Sequence, residues 1–144
     1  MDRVDRQGGQ TIIWDYKTGS GTLRAKPSDR FFESDREDWY DTLRSVQLPF
    51  YLMLYLAHHP HLGIDKVNAA LMMLGGKSTK EDHLFSGEAE RMPRYERYRQ
   101  AIYTLIGEIM DPDGDFCGTL RPEKECGSCM YKVLCGRQWV ARRR

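Results

Sequence analysis

Hydrophobic and polar positions alternate along this chain in more than one rhythm, and each rhythm predicts a different element. The run Thr11-Ile12-Ile13-Trp14-Asp15-Tyr16-Lys17-Thr18-Gly19 is β-branched and aromatic and closes on a glycine, which predicts a strand. Strand side chains alternate faces, so Asp15 and Lys17 share one face and make a compact polar pair at its end. Val67 to Leu74 is nearly all apolar and is closed by Gly75-Gly76, which predicts a buried strand. Between these two the period changes. Trp39, Leu43, Val46, Phe50, Leu54 and Ala57 follow helical spacing from Trp39 to His58. Leu52 to Leu56 is apolar nearly all round, which predicts a largely buried helix. Pro49 lies inside this stretch, and its ring clashes with the carbonyl four residues back, so the helix starts near Val46 or kinks there. Arg94 to Met110 has the same period, with Tyr95, Tyr98, Ile102, Leu105, Ile106 and Ile109 as its apolar stripe.

The polar stretches join these elements. Gly19 to Asp38 reads as a loop, with Phe31-Phe32 to anchor it on the core. Lys77 to Pro93 reads as a connecting loop or a ragged hairpin. Asp111-Pro112-Asp113-Gly114-Asp115 is a turn and not a calcium loop, because Pro122 stands where the bidentate Glu belongs and the Gly falls one place early. His58-His59-Pro60-His61 ends the long helix and reads as a solvated helix end. Ahead of the first strand, Asp2-Arg3-Val4-Asp5-Arg6 leads into Gln7-Gly8-Gly9-Gln10. Gly-Gly accepts the positive φ of a primed two-residue turn, so a hairpin is expected. Its register pairs Gln7 with Gln10, Arg6 with Thr11, Val4 with Ile13 and Asp2 with Asp15. The order strand, strand, helix, strand, helix implies an α/β or α+β domain with helices packed on a sheet.

Composition narrows the class. The chain has 144 residues, enough for one domain with a real core. A formal net charge of +1 sets up no global basic field, so any nucleic-acid contact must be local. The basic tail Arg137 to Arg144 reads as a solvated terminus. No apolar run approaches the ~20 residues that span a bilayer, no signal peptide is visible, and Phe50 to Ala57 is too short. Met1 stands directly before the first expected strand, so the chain is expected to be a piece of a longer protein.

Three groups of residues carry chemistry. Opposed strand residues have Cβ atoms roughly 5 Å apart, so Asp2 and Asp15 repel unless a divalent cation such as Mg²⁺ neutralises them. Gln47 and Tyr51 lie four apart on one helical face of a greasy stretch. They are either a cap and a core aromatic or part of a site. Cys126-Gly127-Ser128-Cys129 and Cys135 form Cys-x2-Cys-x5-Cys, which fits a metal in a reducing compartment better than a disulfide framework. Zinc and iron–sulfur clusters both normally take four protein ligands, and the fourth cysteine, Cys117, lies nine residues before Cys126.

Taken in order, Asp2, a short hairpin and Asp15-Tyr16-Lys17-Thr18-Gly19 resemble the core of the PD-(D/E)xK nucleases, RecB/AddB branch. Gln47-Leu48-Pro49-Phe50-Tyr51 matches that branch's Gln-x-x-x-Tyr motif, on the helix after the Lys strand. The cysteine spacing is similar to that of AddB-type and several CRISPR-associated nucleases. The resemblance implies a restriction-endonuclease-like mixed sheet with flanking helices, as a single domain over residues 1–144 whose residues 125–144 form a Cys-rich, basic tail. It implies a Mg²⁺- or Mn²⁺-dependent deoxyribonuclease of exonuclease type, with Asp2 and Asp15 as metal ligands. Lys17 would orient the attacking water or stabilise phosphoryl charge, and Gln47 and Tyr51 would position DNA or support the metal ligands.

It also implies that Cys126, Cys129 and Cys135 hold a [4Fe-4S] cluster in the full-length protein, with a fourth cysteine upstream. A first helix carrying a further His or Glu would be missing too, so this piece alone is expected to lack an intact cluster and to be weakly active or inactive. The setting implied is cytoplasmic recombination or double-strand-break repair, with a helicase domain or subunit as partner and no membrane. Two alternatives stay open: a non-catalytic DNA-binding or assembly module of the same fold, and a zinc-binding interaction domain. The second leaves Asp2, Asp15 and Lys17 unexplained.

Overall fold

The structure, a computed structural model, describes residues 1–19, 26–76, 78–114 and 121–141, less the side chain of Lys124. It divides into two units, Met1–Gly107 and Glu108–Arg144.

The first unit is built on a four-stranded sheet in the order β1-β2-β3-β4. Its strands are β1 (Arg3–Gln7), β2 (Gln10–Lys17), β3 (Val67–Met73) and β4 (Lys80–His83). Gly8 and Gly9 take φ of 56° and 79°, the double positive φ of a type I′ turn, and the turn sets the register. Gln7 pairs with Gln10, Arg6 with Thr11 and Val4 with Ile13, as the Gly-Gly signal predicts. β2 and β3 are parallel, a pairing that requires a crossover, and the chain makes it through α1 (Trp39–Thr42) and α2 (Gln47–His58). β4 returns antiparallel to β3, so the ragged-hairpin option is the one realised in the Lys77–Pro93 stretch. The helix α3 (Arg91–Met110) follows. This mixed sheet with flanking helices is the restriction-endonuclease-like α/β arrangement expected.

β2 and β3 are interior strands, and that is why their sequences read as unbroken apolar runs. Ile13, Val67, Ala69 and Leu71 share one face of the sheet and pack with Phe31, Trp39, Leu48, Leu52 and Tyr98 in the main core. Ile12, Trp14 and Ala70, with Tyr16 and Met72, form a smaller cluster on the opposite face. Asp15 and Lys17 have the parity of Ile13, so they emerge on the face that α2 packs against. Asn68 is the polar residue inside β3. Its amide donates to the Phe85 carbonyl at 3.0 Å and accepts from the Phe85 N–H at 3.2 Å, which ties the chain after β4 to the sheet.

One expectation is settled and two are corrected. Of the two outcomes that Pro49 left open, a start near Val46 is the one observed: α2 begins at Gln47, after a break from α1 in which Arg44 takes φ of 60°. Pro49 therefore falls in the first turn of α2, where its missing N–H has no helical partner to lose. α2 is not largely buried: Leu48, Pro49 and Leu52 are covered, but Leu54 is 51% exposed, because the sheet covers only one side of the helix. In α3, which begins three residues earlier than expected, Tyr98, Ala101 and Ile102 are buried while Ile106 and Ile109 are exposed.

The Gly19–Asp38 loop falls partly on residues 20–25, outside the described residues. Its later part holds two short 3₁₀ turns, Asp29–Glu33 and Arg36–Asp38. Phe31 is fully buried there, and its ring stacks on Tyr98 with centroids 5.9 Å apart, so it is the anchor the sequence suggested. Gly75 is a required glycine, since a Cβ there would run into the Thr18 carbonyl oxygen.

The second unit has little regular structure among its described residues: residues 108–110 at the end of α3, α4 (Pro122–Glu125) and a succession of turns. Asp111 closes a turn on itself, its side chain accepting the Asp113 N–H at 3.0 Å. Met130, Tyr131, Val133 and Leu134 are exposed. No helix among the described residues is long and apolar enough to cross a membrane.

Candidate active site

The end of β2 and the first turns of α2 bring four of the expected residues into one connected group. Asp15 closes the buried run of β2 and is 4% exposed. Two residues on, where the strand reaches the surface, the Lys17 Nζ lies 2.6 Å from Asp15 Oδ2. The same ammonium donates to Gln47 Oε1 at 3.0 Å. Gln47 is the first residue of α2, and its Nε2 donates to Tyr51 Oη, one turn on, at 3.0 Å. The i, i+4 spacing read from the sequence therefore carries a hydrogen bond along the helix. The break between α1 and α2 matters here, because it starts α2 at the residue that meets Lys17.

Asp2 arrives by a different route. The strand ladder ends at Arg3 opposite Trp14, and the Asp2 N–H donates to the Trp14 carbonyl at 3.0 Å. One Asp2 oxygen, Oδ2, accepts the Tyr16 N–H at 2.7 Å, which holds the carboxylate against the β2 backbone between Asp15 and Lys17. In this chain the amino group of Met1 sits 3.7 Å from Asp15 Oδ1. A hydrogen bond with Tyr51 raises its pKa, and the charges of Asp15 and Asp2 add to that. Tyr51 is lowered in turn, by this bond first and the Gln47 amide second.

Two features fit a hard divalent cation. Asp15 Oδ2 is buried and makes no aligned hydrogen bond; the Lys17 ammonium is close but off-line. A buried acceptor without an aligned donor is costly, and a carboxylate oxygen is the donor type that Mg²⁺ takes. Asp2, held against β2 by the Tyr16 N–H, brings a second carboxylate to the same strand end. Among the described residues no three of His, Cys, Asp and Glu group to hold a metal. Two carboxylates with water and a substrate phosphate are nevertheless a usual Mg²⁺ set.

The cysteines are arranged differently. Cys126 is buried, Cys129 half-buried and Cys135 exposed, all three as free thiols. Among the described residues no group of three forms that could hold a metal. Spacing limits how far the backbones separate but does not aim the sulfurs, which metal binding must do. Cys117 lies outside the described residues. The His58–His61 stretch ends α2 in ring-on-ring contacts, His58 with His59 and His59 with His61.

A family model of the PD-(D/E)XK nuclease superfamily matches residues 1–136. The chain belongs to that superfamily. No curated protein and no solved structure matches it. Superfamily members are in general metal-dependent nucleases acting on DNA, so this is a nuclease-type domain. The Asp/Glu-x-Lys of the superfamily's name is spelled here by Asp15, Tyr16 and Lys17.

Tyr55 was not singled out from the sequence, and His59 was read only as part of a solvated helix end. They continue the line of Tyr51 along α2, and their helical spacing from Tyr51 was the available signal.

Proposed function

We propose that the domain is a Mg²⁺-dependent (or Mn²⁺-dependent) deoxyribonuclease of exonuclease type, from the RecB/AddB branch of the superfamily. The observation that carries this reading is the connected line Asp15–Lys17–Gln47–Tyr51. Asp15 and Asp2 would hold the metal. Bound there, it would polarise the scissile phosphate and lower the pKa of an attacking water. Lys17 has three ammonium protons, and Gln47 Oε1 takes one. Asp15 Oδ2 lies 2.6 Å from the same ammonium, and the proton left over would meet a phosphoryl oxygen or the incoming water, where fixed positive charge stabilises the transition state. Gln47 is a positioning residue: with its Nε2 committed to Tyr51, its oxygen must face Lys17. Asp15 and Lys17 are both present, which favours catalysis over a non-catalytic module of the same fold.

The reading extends to the tail and the setting. Cys126, Cys129 and Cys135 would be three of the four ligands of a [4Fe-4S] cluster, the fourth being Cys117 or a cysteine from elsewhere in the protein. Their spacing supports this. The setting would be cytoplasmic recombination or break repair beside a helicase domain or subunit, with the whole chain acting as one nuclease domain. The test is cleavage of linear DNA by the complete protein. Asp15→Asn and Lys17→Ala should each remove the Mg²⁺-dependent activity while the fold, followed by circular dichroism, is kept. Undiminished cleavage by both variants would overturn the assignment.

A further inference from the structure

α2 carries a second chemical surface that begins where the first ends. Tyr51, Tyr55 and His59 stand at i, i+4 and i+8, so they form one stripe along the helix and into its cap. The Tyr55 and His59 rings stack with centroids 4.1 Å apart and planes 23° from parallel. His58 meets the His59 ring edge-on at 5.0 Å. A contact between His59 Nδ1 and the Tyr55 carbonyl at 3.0 Å fixes the His59 ring. With Leu54 and Met1, these residues line a cavity of about 250 Å³, and Tyr51 is one of its walls. Tyr51 therefore belongs to both places: its hydroxyl ends the line from Lys17 and Gln47, and its ring opens the apolar cavity.

We propose that this aromatic ledge receives one unpaired nucleobase of the strand whose phosphate lies at Asp15 and Lys17. The inference rests on the nuclease reading above and deepens it by naming the substrate as single-stranded at that point. A nucleic-acid strand presents a charged phosphate and, one sugar away, a flat apolar ring. The structure offers the matching sequence: a charged group at the end of β2, then an apolar aromatic wall without acidic or basic side chains other than histidine. At about 250 Å³ the cavity is smaller than the roughly 300–1,000 Å³ of sites for drug-sized ligands, which suits a single ring. A formal net charge of +1 also means that a general basic field adds little to affinity. Stacking supplies it without regard to sequence, because every base has a π-face, and it requires the base to be unpaired.

The test uses short single-stranded DNA carrying 2-aminopurine at successive positions, titrated with the protein in Ca²⁺. Fluorescence should be quenched at one position and little at the others. Tyr55→Leu and His59→Leu should abolish that quench and weaken binding about tenfold, within the range measured for loss of one stacked base. Tyr55→Phe, which keeps the ring, should retain both. An abasic site at the quenched position should weaken wild-type binding and leave Tyr55→Leu unchanged. Tyr55 and His59 are both half-buried on the helix surface, so these variants should fold, which circular dichroism checks. Binding without a quench at any position, or equal affinity in wild type and Tyr55→Leu, would overturn the ledge. If Asp15→Asn still abolished cleavage, the nuclease reading would stand without it. A wild-type protein that neither binds nor cleaves DNA would overturn both.

Discussion

Lys17 is placed by its neighbours more than by its own side chain. A lysine at a strand end has a flexible stem, and only the Asp15 carboxylate and the Gln47 amide hold its ammonium at one point. Gln47→Ala should therefore lower kcat for DNA cleavage by roughly 10–100-fold, the scale on which misplaced catalytic groups lose rate, and leave KM nearly unchanged. A change confined to KM would mean that Gln47 contacts substrate instead. Tyr98 makes a separate prediction. Its ring is buried among Phe31, Phe32 and Phe85, and its hydroxyl has no hydrogen-bond partner. Burial pushes the pKa up to about 12, and the nearby Arg94 guanidinium, which favours the phenolate, offsets only part of that desolvation. The folded pKa lies above the usual value near 10, so folding favours the protonated phenol. This contribution is whole below about pH 10 and is lost between about pH 10 and 12, by roughly 2–3 kcal/mol at most. Tyr98→Phe should remove that alkaline loss, read as the wild-type-minus-variant difference in urea unfolding at each pH. At pH 7 it should cost nothing or stabilise slightly, since an unpartnered buried hydroxyl is unfavourable.

Elements whose signal was local were legible in the sequence. Gly8-Gly9 dictates a primed turn, so the hairpin register followed without knowledge of the rest of the chain. Val67 to Met73 was legible because an interior strand must be apolar on both faces. The line from Lys17 to Gln47 and Tyr51 was foreseeable as proximity, from residue type and helical spacing, but its hydrogen bonds were not. A start of the long helix near Val46 was legible from Pro49, but the short α1 ahead of it and the positive φ of Arg44 were not, because nothing in Leu43-Arg44-Ser45-Val46 announces them. Exposure along α2 and α3 was not legible either: periodicity gives the direction of a face, while distant neighbours decide which turns are covered. The exit of β2 offers a test at this scale. Leu74 donates its N–H to the Lys17 carbonyl at 2.8 Å, and the next residue, Gly75, meets the Thr18 and Gly19 carbonyls with no room for a Cβ. Gly75→Ala should destabilise the domain by about 1–3 kcal/mol, the usual cost of overpacking, and should lower activity by moving the backbone that carries Lys17. Unfolding midpoints and cleavage rates at wild-type levels would show that this approach is not needed.

At the scale of the whole molecule, the two units differ in what holds them. The first has a sheet and a core of large side chains; the second has the end of α3, the four-residue α4 and turns among its described residues, with Met130, Tyr131, Val133 and Leu134 exposed. Little buried apolar contact and few regular backbone bonds mark a segment that opens readily. Residues 126–141 should therefore exchange amide hydrogens much faster than β2 and β3 when no metal is bound. Binding of a cluster by Cys126, Cys129 and Cys135 would bring the missing folding free energy, because aiming three thiolates at one centre orders the turns between them. Anaerobic reconstitution of the complete protein with iron and sulfide should give a brown chromophore and slow exchange in residues 126–141, leaving β2 and β3 unchanged. Cys129→Ser should lose both effects. Stoichiometric zinc with no uptake of iron would replace the cluster with a structural zinc site. Fast exchange in that stretch whatever metal is supplied would remove the metal role of these cysteines altogether.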